Sequence, residues 1–245
     1  MGTADLHIHS TYSDDGTVTV RGVLKQAASV GLDVIAICDH DEIRGSLEAR
    51  ELAPSYGLEA IPAVEITAWE GHILALFVEQ LIPADLTLLE TLLRIRDLGG
   101  IAIAPHPVNP LPKSLPMHAL KYALAHERAR QVLKGIEMYN MGHEIFTRQV
   151  KQLASELPLA QIGSSDSHIH WTIGSGRTGF EGHTLDDLRA ALENRTTIPI
   201  PAPYSFSLRP ILNWMGMVLL RRFGYVSDNL DPEKPMLIRR MALAR

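Results

Sequence analysis

Asp5-Leu6-His7-Ile8-His9 alternates polar and apolar residues near the start of the chain, a pattern typical of a β-strand. Residues two apart in a strand point to the same side, so His7 and His9 present two imidazoles to one spot. Leu6 and Ile8 then face a core. Two histidines on one strand face are a common beginning of a transition-metal site. Taken alone, the pair fits equally well with two partly buried histidines that bind no metal and have ordinary hydrogen-bond partners.

Beyond this strand, short apolar runs alternate with segments of helical spacing. The chain predicts strands over 4–8, 33–38, 60–66, 73–78, 101–104, 135–139 and 159–162. It predicts helices over 19–31, 46–56, 84–98, 117–133, 144–157 and 184–194. A β-then-α rhythm repeated six or seven times predicts an α/β protein whose parallel sheet is covered by helices and can close into a barrel. In such barrels, functional residues gather at the carboxyl ends of the strands.

The composition is that of an ordinary folded domain. Of the 245 residues, 46% are hydrophobic and 21% are charged. The formal net charge of -5 gives no global basic field, so we expect no stable complex with nucleic acid. The single cysteine excludes an internal disulfide and fits a reducing compartment. The start of the chain lacks the basic-then-apolar pattern of a secretory leader, so we expect a cytoplasmic protein.

The end of the chain differs from the rest. Four prolines between residues 199 and 210 break regular structure, and a basic, methionine-rich stretch follows. We therefore divide the chain into a barrel domain at 1–200 and a partly helical C-terminal extension at 201–245 that packs on the domain or binds a partner. Contact of the apolar run 211–220 with a membrane surface is a less favoured alternative, since the run is too short to cross a bilayer. The oligomeric state stays open.

Residues able to bind metals lie at or near the ends of the predicted strands, with His72 just before the strand 73–78, and a barrel would bring most of them together. Imidazole and carboxylate ligands suit zinc, iron or manganese, and a carboxylate can bridge two ions. Nine ligands exceed what one tetrahedral ion needs, so we expect two or three divalent ions. Such a cluster suits the hydrolysis of a phosphate ester. The candidates are His7, His9, Asp14, His40, Glu65, His72, His106, Asp166 and His168, with Asp15 as the alternative to Asp14.

The ordered motifs DLHIHS, SDDG, ICDHD, AVEIT, GHILAL, APHP and GSSDSH resemble the polymerase and histidinol phosphatase (PHP) family of metal-dependent phosphoesterases. The resemblance extends over residues 4–199. It implies a distorted (β/α)7 barrel with a trinuclear metal site at the carboxyl ends of the strands. It also implies that a metal-bridging hydroxide hydrolyses the phosphate ester of a nucleotide, an oligonucleotide or a small phosphometabolite.

The resemblance further sorts the ligands into three groups around a shared carboxylate. The first group is His7, His9, Glu65 and Asp166. The second group shares Glu65 and adds His72 and His106. The third group is Asp14, or its neighbour Asp15, with His40 and His168.

Three further residues are candidates for contact with substrate. Arg177 follows the last ligand motif closely, and a guanidinium binds phosphate oxygens in bidentate fashion, although a surface arginine is an equal alternative. His170 is the candidate proton donor to the leaving oxygen. His143, which follows the predicted strand 135–139, is a candidate phosphate contact. The predicted catalytic residues are Glu65, Asp166, His170 and Arg177.

Two other functions compete with a phosphoesterase. Amidohydrolases also place an HxH pair on a first barrel strand and an aspartate late in the chain. Against this alternative, no lysine is placed as a clear bridging ligand. The second competitor is a non-catalytic regulatory module that binds metal, but such modules usually lack some ligands, and the set here is complete.

Overall fold

The computed structural model describes residues 1–108, 113–140, 150, 152, 154, 156–201, 209–228 and 236–241. Twelve strands and seven helices can be delimited in these residues. The strands are β1 (Gly2–Ile8), β2 (Val34–Ile37), β3 (Glu59–Ile61), β4 (Ala63–Ala68), β5 (Gly71–Leu76), β6 (Ile101–Ala104), β7 (Leu133–Asn140), β8 (Ala160–Ser164), β9 (Arg177–Phe180), β10 (Ile198–Ile200), β11 (Tyr225–Asp228) and β12 (Leu237–Arg240). The helices are α1 (Val20–Ser29), α2 (Arg44–Leu52), α3 (Leu88–Asp97), α4 (Met117–Ala125), α5 (Glu127–Arg130), α6 (Leu185–Asn194) and α7 (Arg209–Arg222).

The strands form two five-stranded sheets of mixed direction. One sheet has the order β10-β9-β1-β2-β3, and the other has the order β4-β5-β6-β7-β8. Strands β1, β2 and β3 run parallel, as do β6, β7 and β8. Strand β5 is antiparallel to both β4 and β6, and β9 is antiparallel to both β1 and β10. The α/β class is confirmed, but the sheet is mixed rather than parallel.

The closed (β/α)7 barrel is not confirmed. Among the described strands, hydrogen bonding divides strands β1 to β10 into two separate five-stranded sheets, and β11 and β12 form a two-stranded sheet of their own. Isolated bridges between Ile8 and Ser167, and between His40 and Glu65, join the sheets near the carboxyl ends of β1 and β2. A two-residue turn joins β4 to β5, and a turn this short forces an antiparallel pair because it leaves no room for a crossover helix.

Several predicted elements are divided or extended in the structure. The predicted strand 60–66 becomes β3 and β4, separated by Pro62. The predicted helix 117–133 becomes α4 and α5, separated at His126, and residue 133 already belongs to β7. Strands β9 to β12 were not predicted. Most of the predicted helix 144–157 lies outside the described residues.

Helix caps and the core follow the sequence pattern. Thr184 caps α6, and its side chain and that of Asp187 form a reciprocal capping box, which satisfies free N–H groups of the first turn. Leu6 and Ile8 are fully buried, as the alternation of β1 predicts. Packing of Leu6 and Ile8 in the apolar core therefore directs His7, which lies between them, toward the opposite face.

The extension contains α7 and the antiparallel pair β11 and β12. Ser227 of β11 pairs with Val18 in an isolated bridge, so this pair adjoins the segment before α1. No helix within the described ranges combines the length and the apolarity needed to traverse a lipid bilayer. Much of the outer face of α7 is apolar and exposed, at Ile211, Leu212, Met215, Leu219 and Leu220.

Candidate metal centre

The candidate site lies where the carboxyl ends of β1, β2 and β8 approach β4 and β5. His7 ends the alternating run of β1, and His9 follows it; both rings are fully buried. The Nε2 atoms of His7 and His9 are 3.1 Å apart, so the strand aims both rings at one point, as predicted. Strand geometry alone thus supplies the first two nitrogen ligands.

Glu65 lies at the centre of the cluster. Its side chain is 1% exposed and comes from β4, in the opposite sheet from His7. Its Oε2 atom lies 3.2 Å from His7 Nε2, 3.3 Å from His9 Nε2 and 3.2 Å from His40 Nδ1. Its Oε1 atom lies 2.9 Å from His72 Nδ1 and 3.2 Å from His106 Nε2. One carboxylate therefore contacts five imidazoles, which is the arrangement expected of a bridging ligand.

Asp166, which follows β8, contacts the first histidine pair. Its Oδ1 atom lies 3.3 Å from His7 Nε2 and 3.2 Å from His9 Nε2. His7, His9 and Asp166 form a group whose ligand atoms all lie within 4.8 Å of one another. A second group with this property is His40, Glu65 and His72. The structure thus brings together the residues that the family resemblance places in the first two ligand groups, with His40 also near Glu65.

The third group contains Asp15 rather than Asp14. Asp15 Oδ2 lies 3.1 Å from His168 Nε2 and 3.5 Å from His40 Nε2. His9, Asp15, His40 and His168 together satisfy the same 4.8 Å criterion. Asp14 is exposed and is not a member of this group. Of the two aspartates that the sequence left open, the geometry favours Asp15, because Asp14 is exposed and Asp15 faces His168 and His40.

The spacing of the donor atoms suits coordination of a metal ion, and several of these atoms lack a hydrogen-bond partner within the described part of the chain. Ligand atoms about 2.1 Å from a tetrahedral ion lie about 3.4 Å apart, close to the 3.1–3.3 Å separations around His7, His9 and Asp166. His72 Nδ1 is only 2.9 Å from a Glu65 oxygen, yet the two atoms are not aligned for a hydrogen bond. The nitrogen therefore has no hydrogen-bond partner among the described residues. The buried His40 Nδ1 and Asp15 Oδ1 atoms also lack a partner within the described part of the chain. Buried polar atoms without a partner are rare, and those of His72, His40 and Asp15 are of the types that bind cations.

Opposite charges shift the pKa values of the cluster. Burial alone would raise the pKa of Glu65, but the imidazoles of His7, His72 and His106 hold that pKa well below its usual range. Burial alone would likewise raise the pKa of Asp166, and His7 and His9 outweigh it and lower that pKa. Burial alone would lower the pKa of His7, but the carboxylates raise it well above the ordinary value. The carboxylates therefore stay ionised at neutral pH, as metal ligands must.

These shifts predict how the stability of metal-free protein depends on pH. The raised pKa values of His7, His9, His106 and His168 stabilise the fold fully below the unfolded histidine pKa of about 6.5, and this stabilisation is lost as pH rises through the folded values. The melting temperature of chelator-treated protein should therefore fall as the pH rises above about 7. Metal-loaded protein should not follow this trend, because the metal binds neutral imidazole. A melting temperature that rises with pH over this range without metal would contradict the prediction.

Two ligand residues have an unusual backbone. His106 has φ of 29° and Asp166 has φ of 50°, both in the left-handed region that non-glycine residues rarely adopt. Such conformations persist where the surroundings impose them, and they cluster at functional sites. The left-handed turns after β6 and β8 direct both side chains back over the strand ends.

Glu137 supports the cluster and was missed in the sequence. This fully buried residue of β7 accepts a hydrogen bond from His7 Nδ1 at 2.8 Å and one from the His106 backbone N–H at 2.7 Å. Asn140 donates to Glu137 at 3.1 Å and to Asp166 at 3.1 Å. Carboxylates that bind the far nitrogen of a ligating histidine fix its ring and tautomer. The signal in the sequence was one acid inside an otherwise apolar strand.

Two other buried acids hold loops in place. Asp5 accepts hydrogen bonds from the backbone N–H groups of Ser165 and Gly174, and burial raises its pKa to about 6. Asp39 accepts hydrogen bonds from the backbone and the hydroxyl of Ser10 at 2.7 Å each. Both residues therefore hold segments that carry candidate ligands.

Two of the predicted substrate contacts, Arg177 and His170, have partners outside the cluster. The Arg177 guanidinium donates to the carbonyl oxygens of Gly174 at 2.7 Å and Val30 at 3.0 Å, which favours a structural role over phosphate binding. His170 Nδ1 lies 3.3 Å from Ser227 Oγ, and burial lowers its pKa to about 4. A ring with this pKa is neutral at pH 7 and is a poor proton donor, so the geometry argues against both predicted roles, which stay predictions. His143 lies outside the described residues.

The two neighbouring aspartates offer a matched test of the third group. Asp15→Asn should reduce metal affinity and kcat by at least about 10-fold, because it removes the charge beside His40 and His168. Asp14→Asn makes the same chemical change one residue away, on an exposed side chain, and should leave both quantities within about 2-fold. Metal titration and steady-state kinetics on the two variants check this. Equal effects, or a larger effect at Asp14, would contradict the assignment.

Buried histidines and carboxylates converge at the strand ends of a mixed α/β fold, and this arrangement is typical of metal sites in hydrolases. The family model of the PHP domain matches residues 5–155, more than half of the chain. The model of the PHP-associated domain matches residues 144–197. The chain belongs to the PHP domain family, and the prediction made from its motifs is confirmed.

Relatives and a solved structure agree with this assignment. A 5'-3' exoribonuclease of Haemophilus influenzae is 39% identical over 103 residues, 40% of this chain and 37% of its own length. A phosphoribosyl 1,2-cyclic phosphate 1,2-diphosphodiesterase of Eggerthella lenta is 41% identical over 86 residues, 33% of this chain and 32% of its own length. The matched segments thus span about a third of each relative. Both names describe hydrolysis of phosphate esters, which supports the predicted hydrolase.

The fold has a counterpart among solved structures. A two-domain protein of Bacteroides vulgatus, described as containing a PHP-like metal-dependent phosphoesterase, superposes with a TM-score of 0.69 and 22% identity. The superposition covers 86% of this chain and 69% of the other. At this identity the likeness concerns the fold.

Proposed function

We propose that this protein is a metal-dependent phosphoesterase that hydrolyses a phosphate ester at a site of two or three divalent ions. One observation carries the proposal: Glu65 contacts five imidazoles, with Asp166 and Asp15 completing two further ligand groups. The ions would be held by His7, His9, Asp15, His40, Glu65, His72, His106, Asp166 and His168. Mixed nitrogen and oxygen donors suit zinc, iron or manganese.

Bound divalent ions would supply Lewis acidity and neutralise charge on the phosphoryl oxygens. The protein's own residues prepare the site for them. Glu137 lies 2.8 Å from His7 Nδ1, which places the His7 proton on Nδ1 and leaves the Nε2 lone pair facing the cluster. The Asp166 carbonyl lies 2.9 Å from His168 Nδ1 and has the same effect, leaving His168 Nε2 toward Asp15. Both rings are thus held in the tautomer that binds a cation.

The substrate would be a phosphorylated small molecule or a nucleotide. Relatives named as an exoribonuclease and a cyclic phosphate diphosphodiesterase act on phosphodiester bonds, which supports this class. The net charge of -5 argues against binding a long polyanion through a broad surface. We further propose that the protein acts in the cytoplasm and that residues 201–245 accompany the catalytic domain as an extension.

A substrate panel with metal analysis on the same sample tests the proposal. The panel should hold phosphomonoesters, phosphodiesters and amides, assayed with zinc, iron or manganese present. We expect turnover of at least one phosphate ester, its loss with chelator, its return with metal, and two or three ions per chain. Turnover of amides without phosphate esters would favour the amidohydrolase alternative. Bound metal without turnover of any compound would favour a regulatory module.

A further inference from the structure

Helix α7 contacts the loop that carries Asp15. The Trp214 indole N–H donates to the Asp15 carbonyl oxygen at 3.1 Å. One nitrogen of the Arg221 guanidinium donates to the Thr11 carbonyl oxygen at 2.8 Å. The other terminal nitrogen donates to two more carbonyl oxygens of the loop, those of Ser13 and Gly16. Two side chains of one helix therefore satisfy four carbonyl groups within residues 11–16.

The loop has little freedom to adopt another path. A Cβ atom at Gly16 would lie 1.9 Å from the Ser10 carbonyl oxygen, so the chain passes too close to itself for any side chain there. The Ser13 hydroxyl donates to Asp39 at 3.0 Å and accepts from the His40 N–H at 2.9 Å. Asp39 and His40 thus contact the loop through Ser13, while α7 contacts its backbone carbonyl groups.

Strand β11 holds the segment that follows. The Ser227 N–H donates to the Thr17 carbonyl at 2.8 Å, and the Thr19 N–H donates to the Ser227 carbonyl at 3.0 Å. Both α7 and β11 follow residue 201, beyond the two segments matched by the family models, 5–155 and 144–197. The contacts therefore come from a part of the chain that the family match leaves unassigned.

The same helix reaches a second member of the third ligand group. The Trp214 ring stands edge-on to the His168 ring, with 5.7 Å between their centroids. Trp214 therefore contacts the backbone of Asp15 and the ring of His168 at once. Asp15 Oδ2 and His168 Nε2 lie 3.1 Å apart. Because one indole contacts both residues, it can hold them at this distance from each other.

We propose that Arg221 and Trp214 are positioning residues for the metal group of His9, Asp15, His40 and His168. A guanidinium has five N–H donors in a fixed plane, so it can hold several carbonyl groups of one loop in a single arrangement. Residues that orient ligands in this way commonly change metal affinity 10- to 100-fold when they are replaced. The inference rests on the proposed function in one respect, that this group binds a metal.

Metal titration and elemental analysis of full-length variants test the inference. Arg221→Ala removes three loop contacts, and Trp214→Phe removes the N–H donor while keeping a ring. Each should weaken one of the metal sites about 10- to 100-fold. Arg222→Ala removes an exposed arginine from the next position of the same helix and should change nothing. Arg221→Lys, which keeps the charge and part of the donor set, should recover part of the affinity.

A double-mutant cycle separates positioning from a general loss of structure. If Arg221 acts through Asp15, then Arg221→Ala should weaken metal binding in the wild-type background and add nothing in the Asp15→Asn background. Additive effects, or wild-type affinity in Arg221→Ala, would overturn the inference. If Arg221→Ala fails to fold, as judged by circular dichroism, the cycle is run with Trp214→Phe.

Hydrogen exchange keeps the inference separate from the proposed function. In metal-free protein, amides of residues 11–17 should exchange faster in Arg221→Ala than in wild type or in Arg222→Ala. Unchanged exchange would overturn the positioning role. If wild-type protein binds no metal but Arg221→Ala still exchanges faster than wild type, the proposed function is contradicted and the role of Arg221 in holding the loop stands.

Discussion

Replacing Glu65 with glutamine should reduce kcat by at least about 1,000-fold, because one carboxylate serves two proposed metal groups. Its two oxygens contact five imidazoles, and an amide of the same shape offers neither the charge nor two acceptors. Steady-state kinetics at saturating metal should show the loss, and elemental analysis should show fewer ions per chain. Glu51→Gln, an exposed position on α2, is the control.

The same substitution should destabilise the metal-free protein. Glu65 is 1% exposed and faces imidazoles whose pKa values are raised, among them those of His7 and His106. Removing the carboxylate leaves buried positive charge without its partner, at a cost of about 3 kcal/mol near pH 6. Urea unfolding of chelator-treated protein measures this difference. A Glu65→Gln variant with wild-type kcat and wild-type stability would contradict the central role given to this residue.

Asp166→Asn should abolish measurable turnover while the fold is retained. The Oδ1 atom of Asp166 lies 3.3 Å from His7 Nε2 and 3.2 Å from His9 Nε2, and asparagine keeps the shape without the charge. Asparagine also tolerates the left-handed backbone, where φ is 50°, whereas alanine would add strain. We expect kcat to fall by at least about 1,000-fold and the metal content to fall with it.

The chain offers a matched control for this variant. Asp85 also has a left-handed backbone, with φ of 60°, but its side chain is exposed and outside the ligand groups. Asp85→Asn should keep wild-type activity and metal content. Full activity in metal-loaded Asp166→Asn would mean that the ligand assignment at the end of β8 is wrong.

The strand-end ligands could be predicted because local patterns place them. Alternation in β1 is enough to pair His7 with His9, since the period of a strand is two residues. The carboxyl end of a buried apolar run indicates where Asp166 leaves the sheet. Convergence of these ends follows from the topology of parallel strands, and the structure brings the predicted residues together even though the sheets do not form one closed barrel.

Other features depend on distant contacts that no local pattern reveals. Asp14 and Asp15 are equivalent in sequence, and the choice between them depends on the path of the loop, which Ser10 and Arg221 constrain. Strand β10 contains Pro199, which lacks an N–H group and normally argues against a strand. It is tolerated because β10 lies at the edge of its sheet. The role of Glu137 requires knowing that β7 adjoins the ligand-bearing strand ends.

The arrangement of the strands in two separate sheets has a thermodynamic consequence. His7, His9 and His40 belong to or follow strands of one sheet, while Glu65 and His72 belong to the other. An ion shared by these residues would act as a non-covalent cross-link between the two halves of the molecule. Because a ligand that binds only the folded state adds RT ln(1 + [L]/Kd) to stability, cohesion of the halves would depend on the concentration of free cation around the protein.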